Sequence, residues 1–170
     1  MKFYLAPLEG ITDYIYRRVY HQMFEPMDAY FIPFLTPNEN GKFSARQKKD
    51  LLPENNEGIN VIPQILTNKV DEFISGVKYL EFLGYEEVNL NMGCPSRCVV
   101  SKGRGAGMLA DVEQLDRFLG SIFEGAKLKI SIKTRIGIVK PEEFEHLLEI
   151  YNQYPISELI IHPRNRTGIL

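Results

Sequence analysis

A chain of 170 residues that is 44% hydrophobic and 25% charged is large enough to bury a core, and one domain is the default. A formal net charge of -2 excludes a global basic field, so any nucleic-acid site must rest on a local cluster of Lys and Arg. The two cysteines lie four apart, unlike a secreted disulfide framework, and no run approaches the ~20 apolar residues that cross a bilayer; a soluble cytoplasmic protein without a membrane partner is expected.

Short apolar runs alternate with longer segments of helical period, the pattern of parallel strands joined by helices. The first strand is predicted over residues 2–6. A helix over 12–24 follows, capped by Thr12 or Asp13, with Ile15, Val19 and Met23 on one face. Strands over 28–34 and 60–66 come next. The second of these feeds a helix over 68–83, whose Val70, Phe73, Ile74, Val77, Leu80 and Leu83 repeat at three and four and which stops at Gly84. A strand over 87–91 leads into an irregular Gly-rich stretch, 93–107, and a helix over 112–123. Strand 129–134, helix 141–154 with Pro141 in its first turn, and strand 158–162 complete the series.

Six strand-helix units leave two main architectures, an open doubly wound sheet or a closed eight-stranded barrel. Polar residues at or just past nearly every strand end favour the barrel: Glu9, Gln64, Asn89 and Asn91, Lys133 and Arg135, His162 and Arg164. In a barrel those ends form one mouth, where active sites lie. The fold class is therefore α/β, a TIM (β/α)8 barrel truncated to about six units. Six strands cannot close an eight-stranded barrel, so either the chain is a piece of a longer one or the missing units come from elsewhere. The loop 36–58, marked by Pro37, Gly41 and Pro53, reads as a surface insertion near the mouth.

Cys94 is the residue with the most chemistry to offer. An ordinary thiol, with a pKa near ~8.5, is mostly protonated at neutral pH and can donate a proton without tuning. Taken alone, the same residue also fits a buried structural thiol. A metal site is not expected, because Cys94 and Cys98 have no second cysteine pair and His21, His146 and His162 are far apart in sequence. Gln64 can offer a donor and an acceptor at a strand end, or be a solvated loop amide. Lys133 is either a cation facing a ligand or half of a salt bridge at the mouth. Asn91 either orients a ligand or caps the end of its strand. The glycines from Gly103 to Gly107 lack a directly preceding strand and the glycine spacing of a dinucleotide fingerprint, and read better as a mobile loop that closes beside Cys94.

Six motifs in register make the chain resemble the tRNA-dihydrouridine synthases: Ala6 to Asp13 (APLEGITD), Pro63-Gln64, Asn89 to Pro95 (NLNMGCP), Lys102 to Leu109 (KGRGAGML), Lys133 to Gly137 (KTRIG) and His162-Pro163-Arg164. The resemblance implies a barrel that holds FMN at its mouth, takes reducing equivalents from NADPH and reduces uridine in tRNA. It implies Cys94 as the proton donor to C5 of the uracil, and Pro7, Leu8, Glu9, Gln64, Asn91, Lys133 and His162 as flavin-side residues. Arg97, Lys102, Arg104, Arg135, Arg164 and Arg166 form a basic mouth expected to contact tRNA; no Asp or Glu occurs between Met92 and Met108. In the family, loops after strands seven and eight hold the FMN phosphate and a helical C-terminal domain grips the tRNA. The resemblance makes residues 1–170 the N-terminal portion of the FMN-binding catalytic barrel; alone they are expected to bind FMN weakly or not at all, to show no turnover and to self-associate through an incomplete barrel edge. Two other readings stay open at this point: an FMN barrel acting on a free pyrimidine, of the dihydroorotate dehydrogenase type, and a non-catalytic piece that binds RNA or a partner.

Overall fold

In the computed structural model, which describes residues 1–38 and 42–167, every strand pair is parallel, as strands connected by helices must be. The strands are β1 (Tyr4–Leu5), β2 (Ala29–Phe31), β3 (Val61–Ile62), β4 (Gln64–Ile65), β5 (Glu87–Met92), β6 (Lys129–Arg135) and β7 (Leu159–His162). They pair in the orders β1-β2-β3 and β4-β5-β6-β7. β3 and β4 are the single strand expected over 60–66, divided at Pro63, which has no N–H to give to a ladder. The carbonyl of Pro63 still accepts the N–H of Asn89 at 2.8 Å, and Leu35 bridges to Ile65, so the two ladders follow one another around a common interior.

That interior curls. Ile160 on β7 packs with Tyr4, Ala29, Phe31 and Ile62 from β1 to β3, and the Tyr4 hydroxyl donates to Glu158 at 3.1 Å, so the last strand faces back toward the first. This is a truncated α/β barrel.

The outward face of the sheet carries Val88, Leu90, Met92, Ile130 and Ile132, all buried in one apolar cluster with the helices. These helices are α3 (Val70–Phe82), α5 (Val112–Gly125) and α6 (Glu143–Tyr151), which contribute among others Phe73, Val77, Phe118, Leu119 and Leu147. Burying each such side chain contributes roughly 1.5–3 kcal/mol. Asp111 caps α5 by accepting the N–H of Gln114, and Gly84, at φ 88°, ends the turn after α3 where a left-handed residue is needed. α6 is shorter than the helix expected over 141–154. The carboxylate of Glu143 binds the N–H groups of Ile138, Val139 and Lys140, holding the preceding segment as a turn with Pro141 outside the helix.

Two features depart from the sequence reading. The first helix, α1 (Tyr14–Met23), starts after Asp13, whose side chain accepts the N–H of Tyr16, but it presents its apolar stripe outward: Ile15, Val19 and Met23 are 55%, 51% and 73% exposed. Its inner face instead buries Arg17, which donates to Thr12, Asp50 and Asn56. The insertion 36–58 is also not featureless. Ser44 and Gln47 close a reciprocal capping box on α2 (Ala45–Leu51), and a turn of 3-10 helix follows over Pro53–Asn55; Gly41, one of the residues marking that loop, lies outside the described residues. No helix is long and apolar enough to cross a membrane among the described residues.

Candidate functional site

Side chains alternate across a strand, so the sheet register decides which polar residues share the interior. Gln64 pairs with Asn89 and Asn89 with Ser131; one rung toward the C-terminal ends Asn91 pairs with Lys133, and one further Arg135 pairs with His162. Gln64, Asn89 and Ser131 are fully buried and Asn91 nearly so. Gln64 Nε2 donates to Asn89 Oδ1 at 2.8 Å, Asn89 Nδ2 donates to Ser131 Oγ at 3.0 Å, and Asn91 Nδ2 donates to Gln64 Oε1 at 2.6 Å. Left without partners, such amides would cost about 1–3 kcal/mol each. Linked, they make a rigid polar floor. Asn89, noted in the sequence only as a strand-end polar residue, is its centre.

Above this floor lies a cleft of about 290 Å³ at the C-terminal ends of the strands. It is lined by Pro7, Leu8 and Glu9 after β1, Pro33 and Phe34 after β2, Gln64, Asn91, Cys94, Lys133, Arg135 and His162. All the strands but β3 bring residues to it, within them or just past their ends. A larger hollow of about 500 Å³ opens at the opposite end, among Lys2, Asp28, Glu87 and Glu158, but that is the end of a β/α barrel associated with stability rather than chemistry.

Cys94 is half-buried on the cleft wall. The Oδ1 of Asn91 accepts the N–H groups of Gly93 and Cys94 at 3.2 and 3.0 Å, and Arg135 Nε donates to the carbonyl of Gly93 at 2.8 Å. The glycine-rich stretch after it is compact: α4 (Arg97–Val100) leads to a 3-10 turn, Gly105–Ala110, in which Gly105, Ala106, Met108 and Leu109 are buried. Cys98 is exposed, with its Sγ 3.1 Å from Ser96 Oγ. Among the described residues no three His, Cys, Asp or Glu side chains group as metal ligands.

The electrostatics of the cleft are one-sided. Burial and the neighbouring Arg135 lower the pKa of Lys133, and no carboxylate among the described residues forms an ion pair with it. Burial lowers that of Arg135 too, as does Arg164; burial together with Arg135, Lys133 and Arg164 lowers His162. Cations that depress one another in a partly desolvated cleft favour an anionic occupant.

The expected basic mouth divides in two. Arg97 and Lys102 are exposed, and Arg164 and Arg166 are half-buried beyond β7. Arg104 and Arg135 already have partners within the protein. Arg104 is ion-paired with Glu72 at 3.1 Å, a partner 32 residues away on α3, and Arg135 is buried with its guanidinium on Gly93 O and Asn165 O.

Residues 4–168 match the family model described as Dihydrouridine synthase (Dus). The chain belongs to the dihydrouridine synthase family. Its curated relatives include the "Probable tRNA-dihydrouridine synthase" of Staphylococcus aureus, 28% identical, and that of Staphylococcus epidermidis, 29% identical. The "Probable tRNA-dihydrouridine synthase 2" of Bacillus subtilis is 27% identical. Each alignment covers 96% of this chain and 50% of the relative, so the chain spans about half the length of those proteins.

Proposed function

We propose that the protein reduces the C5–C6 double bond of uridines in tRNA, with Cys94 as the acid. The carrying observation is the cleft itself, where a half-buried thiol lines the wall with a histidine and a lysine that no carboxylate among the described residues pairs, above a hydrogen-bonded amide floor. The residues present fit FMN. Lys133, which has no acidic partner among the described residues, suits the charge that gathers at the pyrimidine side of a reduced flavin; Gln64 and Asn91 stand beneath, and Pro7, Leu8 and Glu9 border the opening. When bound, FMN recharged by NADPH supplies the hydride that adds at C6 of the uracil.

The protein's own part is positional and acidic. Asn91 and Arg135 hold the Gly93-Cys94 backbone so that the thiol faces the cleft. Cys94 Sγ–H delivers its proton to C5, leaving a thiolate. Burial, with Arg135, Lys133 and Arg164 nearby, lowers the pKa of His162 and so favours its neutral form. Exposed Arg97 and Lys102, with Arg164 and Arg166, are the cations available to the phosphates of the tRNA. Two free cysteines agree with work in the cytoplasm.

Mass-spectrometric mapping of dihydrouridine in tRNA from a deletion strain tests the proposal. Plasmid-borne wild-type protein should restore the lost positions, and Cys94→Ala should restore them at least about a hundredfold more slowly. An unchanged tRNA map together with orotate turnover by the purified protein would favour a free-pyrimidine enzyme instead.

A further inference from the structure

The turn between β4 and α3 grips the glycine-rich segment at two points. Asn68 Nδ2 donates to the carbonyl of Lys102 at 3.0 Å, where Gly103, at φ 65°, lets the backbone come close: a Cβ there would lie 3.1 Å from Asn68 Nδ2. One turn into α3, the carboxylate of Glu72 is only 6% exposed and is held by the Thr67 hydroxyl, by Lys69 at 3.1 Å and by Arg104 at 3.1 Å. Both cations favour the Glu72 carboxylate, but Lys69 is 58% exposed and its pairing is screened by water, whereas Arg104, 17% exposed, is the more buried of the two partners.

Arg104 immediately precedes the residues that fasten the thiol. Ala106 N–H donates to the carbonyl of Cys94 at 3.0 Å. Gly105, at φ 56°, lies so close behind Cys94 that a Cβ would sit 2.8 Å from its carbonyl oxygen. Glu72 thus reaches Cys94 through Arg104 and the Gly105-Ala106 backbone. We propose that the buried Glu72 carboxylate, through its ion pair with Arg104, is a positioning residue for Cys94, latching the acid-bearing segment to the strand-helix unit that supplies Gln64. The inference rests on the acid role proposed for Cys94, and it replaces a freely closing loop with a preset one.

The test uses the holoenzyme and two independent readouts. The first is the rate of Cys94 alkylation by iodoacetamide, followed by peptide mass spectrometry with the already exposed Cys98 as internal reference. Glu72→Gln and Arg104→Met should raise the Cys94 to Cys98 ratio by about tenfold as the segment loosens, while Arg104→Lys, which keeps the charge pair, stays near wild type. The second readout separates half-reactions. Flavin reduction by NADPH should be unchanged in all three variants, whereas uridine reduction should fall by about tenfold to a hundredfold in Glu72→Gln and Arg104→Met, with partial rescue in Arg104→Lys.

An unchanged alkylation ratio overturns the latch, and so does an equal loss in both half-reactions, which would mark a general folding or cofactor defect. If Glu72→Gln does not fold, Arg104→Met and Asn68→Ala decide by the same readouts. Should Cys94→Ala retain full uridine reduction, the acid assignment fails while the alkylation ratio still judges the latch.

Discussion

The side-chain oxygen of Asn91 accepts the backbone N–H of Cys94 at 3.0 Å, while its amide nitrogen donates to Gln64 at 2.6 Å. One side chain therefore joins the buried floor of the cleft to the thiol on its wall. Asn91→Asp keeps the acceptor for Cys94 but sets an oxygen against Gln64 Oε1; Asn91→Leu removes both bonds. Single-turnover formation of dihydrouridine should slow by about tenfold in the first variant and about a hundredfold in the second. Equal rates in the two would show that the link to Gln64 alone matters.

Gly105 and Gly10 both have positive φ, 56° and 78°, but their surroundings differ. A Cβ on Gly10 meets nothing within 4 Å, whereas on Gly105 it would lie 2.8 Å from the Cys94 carbonyl and 2.9 Å from Val99 Cγ1. Urea unfolding of Gly10→Ala should show a loss of about 1 kcal/mol from backbone strain alone. Gly105→Ala should lose about 2–4 kcal/mol, because overpacking adds to the strain.

Periodicity made the sheet-covering helices legible. α3 repeats its apolar residues at three and four and stops near Gly84, so Phe73, Val77 and Leu80 were readable as core. The same rule found the stripe of α1 but not which way it points, since Ile15, Val19 and Met23 say that a face is apolar without saying that an element covers it. At the cleft, residues just past strand ends were readable because strand polarity sets the mouth. The partners of Arg104 and Arg135 were not: one is a carboxylate 32 residues away and the other is backbone, and neither leaves a mark in local composition. The acid role proposed for Cys94 came from a motif, but its fastening by Asn91 and Ala106 came only from geometry.

His162 gives a pH dependence whose sign can be worked out. Burial, Arg135, Lys133 and Arg164 all lower its folded-state pKa below the ordinary 6.5. As pH falls through about 6.5, the unfolded chain takes up the proton first, so stability drops until the lowered folded-state pKa is passed. Above that window His162 is neutral in both states and contributes no slope. Thermal unfolding of the wild type should weaken between neutral and mildly acid pH more than that of His162→Gln. A parallel pH profile for both proteins would mean that the cations do not act on His162.

The salt dependence of tRNA binding separates free cations from paired ones. Arg97 and Lys102 are exposed, so each should release a counterion on meeting a phosphate; replacing either with alanine should lower the slope of log affinity against log salt by about 1. Arg104 lies on the same segment with the same formal charge, yet Glu72 at 3.1 Å already neutralises it. Arg104→Ala should therefore leave the salt slope near wild type while slowing uridine reduction, because its loss frees the Cys94 segment. Filter binding over a salt series checks the first effect and single-turnover kinetics the second. A slope reduced in Arg104→Ala as much as in Lys102→Ala would mean that tRNA draws Arg104 away from Glu72, making the ion pair a contact that opens on binding.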